Sequence, residues 1–381
     1  MPKSLSRMVV RFSVDLHKEL LHSRKDKKEN VTSSPFMITA ALSMTFAGAR
    51  ENTADELLAV LRGKDEKLHE NFASFMPKLS SHSHKLQFHV ANRIYSDEKF
   101  PVVEEYATFV NSTYASTIQS VDFEKRSEAV RGQINDWVKV VTESKIVDLL
   151  APGSVNPTTN VLLINAVYFK GLWESPFPAS STSRRDFNVD SKTKVQVDMM
   201  CQKQEFAISH SEELGVRAIE MPYRGGRTSM IILLPDEIEG LSHLEHHLSH
   251  CKLSNIVADL KETPNVEVIM PKLLLHQCLY LKDTLVAMGV NDLFSGKCDL
   301  SGMFKTGNPV VSEMIHSVYL QIDEDGTDAA VATPAVAAAS TTTVSPAATQ
   351  KTEFVVDHPF MLLVLKSKSD VILFMSSVRH P

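Results

Sequence analysis

From Gly326 to Gln350 the chain carries no aromatic residue, no Lys or Arg and a single acid, Asp328. Ala, Thr, Ser, Val and Pro supply nearly all the rest, so the stretch has no apolar face to bury. A connection of this length is uncommon inside a compact domain unless it serves a function. A linker would lead to a second domain, but only about thirty residues come after it, too few to build a core of their own. Those residues are strongly apolar and must pack into the main body. Residues 324–353 are therefore expected to leave the body as a loop and return to it, with 1–381 as a single domain.

The composition fits an ordinary globular chain, with 43% hydrophobic and 23% charged residues. A net charge of −6 argues against nucleic acid as a partner, which needs a concentrated basic face. The basic cluster Arg24, Lys25, Lys27 and Lys28 is broken by Asp26 and reads as a solvated loop. No apolar run is long enough for a membrane helix, and the N-terminus lacks the apolar stretch of a signal peptide. Cys201, Cys251, Cys278 and Cys298 show no CxxC spacing, so neither a zinc site nor a disulfide framework is expected. The sequons at Asn30 and Asn111 favour a secreted glycoprotein, the alternative being a cytoplasmic one.

Helices dominate early and strands late, without regular alternation, which predicts an α+β fold. Ser34-Pro35 is a helix start, a capping serine before a first-turn proline, with Gly48 as its stop. Thr53 and Glu56 have capping-box spacing ahead of Leu57 and Leu58. Leu86, Phe88 and Val90 alternate as in a half-buried strand. Val161 to Phe169 is an apolar strand interrupted by Asn165, whose amide needs a fixed partner because an unpaired one costs about 1–3 kcal/mol. Further strands are expected at 229–234, 266–270 and 317–323, and a final hairpin at 360–365 and 371–375.

No GxSxG, HExxH, P-loop or GxGxxG motif is present, so no catalytic residue, metal or cofactor is assigned. His243, His246, His247 and His250 beside Cys251 read as a polar helix face, with no carboxylate or cysteine pair to complete a metal site. Asp357-His358 reads as a fixture at the start of a strand.

Several separated segments resemble the serpins, in order and over nearly the whole chain. They are Ser34-Pro35 with its helix, Ile134 to Val138 with Asp148-Leu149-Leu150, Asn165 to Trp173 with Phe177, Asp323 to Ala330, and Phe354 with Asp357 to Phe360. The resemblance implies about three β-sheets with surrounding helices and an exposed reactive-centre loop. It also implies a suicide mechanism: a serine protease cleaves the loop, forms its acyl-enzyme, and is trapped when the loop inserts into the central sheet. The partner is then a serine protease held covalently by a monomeric inhibitor that supplies no catalytic group; glycosaminoglycan binding is left open.

By the same resemblance, Glu324, Gly326, Thr327, Asp328, Ala329 and Ala330 form the hinge. Ser34, Asn165 and His316 form a polar cluster beneath the sheet centre, with Met37 where a serine is usual. Trp173, Lys272 and Glu324 cluster where insertion begins. An inserting strand needs small inward side chains, and Thr327, Ala329, Val331 and Thr333 supply them on one face. Pro334 cannot donate to a central ladder and opposes insertion, which leaves a non-inhibitory carrier, chaperone or interaction protein as the alternative. Counting forward from the hinge places the reactive bond at Ser340-Thr341, and counting back from Phe354 places it at Pro346-Ala347; Val344 is a further candidate. The forward count is favoured, because sheet length fixes insertion depth, and its small residues suit an elastase-like protease.

Overall fold

A computed structural model describes residues 3–63, 67–79, 86–327, 352–366 and 371–381. The amino-terminal half carries α1 (Lys3–Ser23), β1 (Val31–Ser33), α2 (Pro35–Gly48), α3 (Glu51–Val60), α4 (Leu68–Leu79), β2 (Leu86–Asp97), α5 (Glu104–Tyr114), β3 (Thr117–Val121), α6 (Phe123–Val141) and β4 (Val161–Leu172). Next come β5 (Ser183–Asn188), β6 (Lys194–Ser211), β7 (Val216–Pro222), β8 (Ser229–Pro235), α7 (Leu241–His247), α8 (His250–Ala258), β9 (Lys261–Pro271) and β10 (Leu273–Tyr280). The chain ends with α9 (Lys282–Ala287), β11 (Val311–Ile322), β12 (Gly326–Thr327), β13 (Thr352–Val355), β14 (Phe360–Lys366) and β15 (Val371–Val378).

The described strands join into two hydrogen-bonded sheets. In the larger, the 18-residue β6 pairs with β9 from Met199 to Ile208, past a register shift after Gln204, and with β7 on its other edge along Ala207–Ser211. Helices around these mixed sheets fit the α+β fold expected. The second sheet runs β10-β11-β4-β2-β3, with β12 also paired to β4. Its centre is a parallel seam between β11 and β4, in register from His316 with Asn165 to Leu320 with Phe169. Beyond Phe169 the edge of β4 is taken over by β12, antiparallel to it, with Thr327 opposite Gly171 and Gly326 opposite Leu172.

The main core fills the space between the sheets and wraps α2. From Pro35 to Thr45 every residue of that helix is buried, as expected of a helix apolar on all sides. A second cluster lies on the other face of the central sheet, where Val130, Ile134 and Val138 of α6 meet Ile164 and Ala166 of β4.

Two local expectations are corrected. Ser34 precedes Pro35 at the start of α2, but its side chain makes no capping bond; its hydroxyl donates instead to the Leu373 carbonyl at 2.6 Å. Thr53 and Glu56 form no capping box, because α3 begins at Glu51, placing Thr53 inside the helix. Their side chains serve other segments: Thr53 Oγ1 accepts from the Asp299 N–H, and Glu56 Oε2 accepts from the N–H groups of Asn291 and Asp292. In both places a tertiary partner outcompeted the local one.

Candidate functional site: the central seam and its hinge

β4 carries two polar clusters along its length. At its middle, Asn165 faces His316 across the seam, with Nδ1 of the ring 2.6 Å from Asn165 Oδ1. The Ser34 N–H donates to His316 Nε2 at 2.9 Å, so Nε2 is the acceptor and Nδ1 carries the proton given to Asn165. Burial holds the His316 pKa down to about 3, which keeps the ring neutral. Asn165 thus has the fixed partner its sequence setting demanded. The network is nonetheless incomplete: Asn165 Nδ2 and the hydroxyls of Ser33, Ser317 and Ser376 are buried without a hydrogen bond. Met37, where a serine would extend the network, lies fully buried in the main core.

At the far end of β4, Trp173 stacks on Tyr223 with centroids 4.5 Å apart and planes 11° from parallel. Its Nε1–H donates to the Asp323 carbonyl at 3.0 Å and its backbone N–H to the Asp325 carbonyl at 2.9 Å. The Phe177 N–H donates to the Glu324 carbonyl at 2.8 Å. The chain entering the loop is therefore fastened by its backbone before any side chain acts.

Glu324 Oε1 then accepts from Lys272 Nζ and from Thr182 Oγ1, both at 2.7 Å. Burial alone would raise the Glu324 pKa, but these hydrogen bonds prevail and hold it below the usual carboxylate range. Lys272 thus meets Glu324 directly, while Trp173 reaches the same segment through the carbonyls of Asp323 and Asp325. Asp323, from the hinge segment itself, joins through its carbonyl; Thr182 and Tyr223 complete the cluster, and sequence reasoning misses these two, since each arrives from a distant segment with no motif of its own.

Gly326 closes the hinge. Its φ of +144° suits glycine alone, and a Cβ there would stand 2.1 Å from the Gly171 carbonyl oxygen. Asp323 and Gly326 exchange backbone hydrogen bonds, which makes the tight turn that delivers β12 to β4. The remaining hinge positions, Asp328, Ala329 and Ala330, lie outside the described residues, as do Pro334 and the reactive-bond candidates Ser340, Thr341, Val344 and Pro346.

The other expectations fall away from this seam. Asn111 is exposed near the end of α5. The Asn30 carboxamide clasps the C-terminal segment, its Oδ1 accepting from the Arg379 and His380 N–H groups and its Nδ2 donating to the His380 carbonyl. His243 and His247 lie on one face of α7, ring centroids 4.1 Å apart, and no group of three metal-ligating side chains is found among the described residues. His358 binds Asp357 Oδ1 and the Pro235 carbonyl, both at 2.8 Å, and so fixes the start of β14. No helix among the described residues is long and apolar enough to cross a membrane.

The chain matches, over residues 7–381, the family model described as Serpin (serine protease inhibitor). It is 46% identical over 380 residues to Iris of Ixodes ricinus, covering 100% of both chains. It is 35% identical over 386 residues to the leukocyte elastase inhibitor of Homo sapiens, again covering 100% of both. Among solved structures it is similar to uncleaved ovalbumin (TM-score 0.88, 27% identity, 99% of this chain and 100% of that one). It is likewise similar to Serpin48 of the insect Tenebrio molitor (TM-score 0.86, 31% identity, 100% and 99%).

Proposed function

Because the chain belongs to the serpin family, we propose that it is a suicide-substrate inhibitor of an elastase-like, small-residue-preferring serine protease. The observation that carries this reading is the pairing of Gly326 and Thr327 with the end of β4, at the mouth of a parallel seam with no strand yet in it. Continued one residue at a time, this register puts Ala329 opposite Phe169, Val331 opposite Val167 and Thr333 opposite Asn165. Val167 and Phe169 face the main core, so the small side chains of the hinge fall on the packed side of the sheet. Thr333 would bring a hydroxyl to Asn165, whose Nδ2 has no partner. Inserting a strand there separates β11 from β4 and replaces one parallel contact by two antiparallel ones.

The buried polar atoms left unpaired around the seam support a native state held above its most stable arrangement, since each costs about 1–3 kcal/mol. After acylation, insertion would draw the protease from its docked position. Even a small displacement of its catalytic groups stops deacylation, which depends on preorganised geometry. The elastase-like preference rests on the small residues at Ser340-Thr341 and on the absence of any Lys or Arg from Gly326 to Gln350. The sequons favour secretion, with exposed Asn111 as the better acceptor.

Incubation with a neutrophil-type elastase, followed by a denaturing gel and mass mapping, is expected to give a complex that survives denaturation and cleavage at Ser340-Thr341. Turnover to cleaved protein without complex would sink the inhibitory reading. Pro334 favours that second outcome and with it a carrier or interaction role, because the same register sets it opposite Ile164, in mid-sheet. Thermal unfolding before and after cleavage distinguishes the two, since only an inserted loop raises the midpoint sharply.

A further inference from the structure

Away from the seam, α7 turns three imidazoles to solvent. Leu241 and Leu244 are buried in an apolar cluster shared with β8 and β14, and Leu248 follows them in, while His243, His246 and His247 stand exposed. Glu245 is buried as well, and its carboxylate is turned inward to accept from Arg379 Nη2 at 2.6 and 2.7 Å. The four residues from His243 to His247 make about one helical turn, so both rings rise from the same side. Their centroids are 4.1 Å apart and their planes 32° from parallel. His246 stands edge-on to His247, at 78°, and lies outside this pair.

The hydrogen bonding of His247 fixes which of its nitrogens is bare. Its Nδ1 lies 3.0 Å from the His243 carbonyl, which can only accept, so Nδ1 carries the proton and Nε2 keeps its lone pair. One ring nitrogen tied to a carbonyl and the other left bare is the arrangement of a metal-ligating histidine. His243, exposed beside it, can present a second nitrogen from solvent. Two nitrogens bound to one ion at about 2.0–2.1 Å stand about 3 Å apart, a spacing that rings this close can reach. No group of three metal-ligating side chains is found among the described residues, so a closed zinc site is not formed here. Two imidazoles with water in the remaining positions suit an ion that favours tetragonal nitrogen and oxygen ligands.

We propose that His243 and His247 form a two-point chelate for a divalent transition ion of the copper and nickel class, with water completing its coordination. Paired histidines four apart on one helix face are a donor set such ions select. The bound ion would cross-link one turn of α7, a seven-residue helix too short to be stable alone. That turn joins three parts of the molecule. Glu245 on its inner side holds Arg379 of the C-terminal segment, and the His246 carbonyl at its end accepts from Lys18 Nζ of α1 at 2.9 Å.

The test is titration calorimetry of the untagged full chain with Ni2+, which does not oxidise the exposed Cys251 thiol. One saturable site is expected, from which Cu2+ displaces Ni2+ and Mg2+ does not. His243→Ala and His247→Ala should each weaken binding at least about tenfold, because either leaves one ligand without its chelate partner. Both rings are exposed, so neither substitution should disturb the fold. His246→Ala and Cys251→Ser should bind Ni2+ as the parent does. Thermal unfolding gives a second readout: excess Ni2+ should raise the midpoint of the parent but not of His243→Ala, and a chelator should reverse the rise. No saturable signal, or unchanged affinity in His243→Ala and His247→Ala, overturns the site. Binding lost in Cys251→Ser, whose thiol lies 3.2 Å from His250 Nε2, would move the ligands to that neighbouring pair and overturn this assignment. A parent midpoint that Ni2+ leaves unmoved overturns the cross-link.

Discussion

The two ends of the working half of β4 are held by different means. At Asn165 the seam is closed by two side chains in a dry interior, with neighbouring polar atoms left unpaired. At Trp173 it is closed mostly by backbone hydrogen bonds and aromatic stacking, and its ion pair is 39% exposed at Lys272. Water can replace what is lost at the second cluster and cannot reach the first. The hinge end should therefore open readily, while the middle stays shut until something of the right shape replaces the His316 contact.

The largest effect expected is at the middle. His316→Ala strands the Asn165 carboxamide and the Ser34 N–H, for a loss of about 2–5 kcal/mol in the urea unfolding of the uncleaved chain. A loss no larger than that of a hinge substitution would erase the contrast between the two clusters.

Acid tests the same point without mutation. Burial holds the pKa values of both His316 and His17 down to about 3, so below about pH 6.5 the unfolded chain binds protons that the folded chain refuses. The stability of each ring's site is intact above that pH. It falls by about 1.4 kcal/mol per pH unit as the pH drops towards 3, or about 2 kcal/mol per ring at pH 5. Unfolding measured between pH 7.5 and 5 should show this slope, and His316→Gln should remove about half of it.

Gly326→Ala should be milder, at about 1–3 kcal/mol, because the turn can release β12 from β4 to relieve the clash with Gly171. Faster proteolysis within 324–353 would report that release; unchanged proteolysis would mean the hinge is not latched there. Lys272→Ala should be the smallest, at about 0.2–1 kcal/mol, and should shrink further in salt, as befits a half-exposed ion pair. Salt-independence would show that the pair is drier than its exposure implies.

Some of this was legible in the residues. The interruption of an apolar strand by Asn165 demanded a partner, and His316 supplies it. The strands at 161–169, 229–234 and 266–270 fall inside β4, β8 and β9, because continuous apolar runs leave few other choices. Ser34 and Thr53 misled for a common reason: a hydroxyl at a helix start reads as a cap until a distant carbonyl or N–H claims it, as Leu373 and Asp299 do. Nothing near Thr182 or Tyr223 announced that they would meet Glu324 and Trp173.

The sequence by itself determined that the stretch from Gly326 to Gln350 has no face to bury and that the apolar residues after it must return to the core. That much is a matter of composition, since a segment without large apolar groups cannot offset the entropy of ordering itself. Only the tertiary structure decided where the loop departs, beside the open end of a parallel seam, and what guards that seam. Strand order and the meeting of Ser34, Asn165 and His316 depend on contacts between distant segments, and no local pattern of residues encodes those.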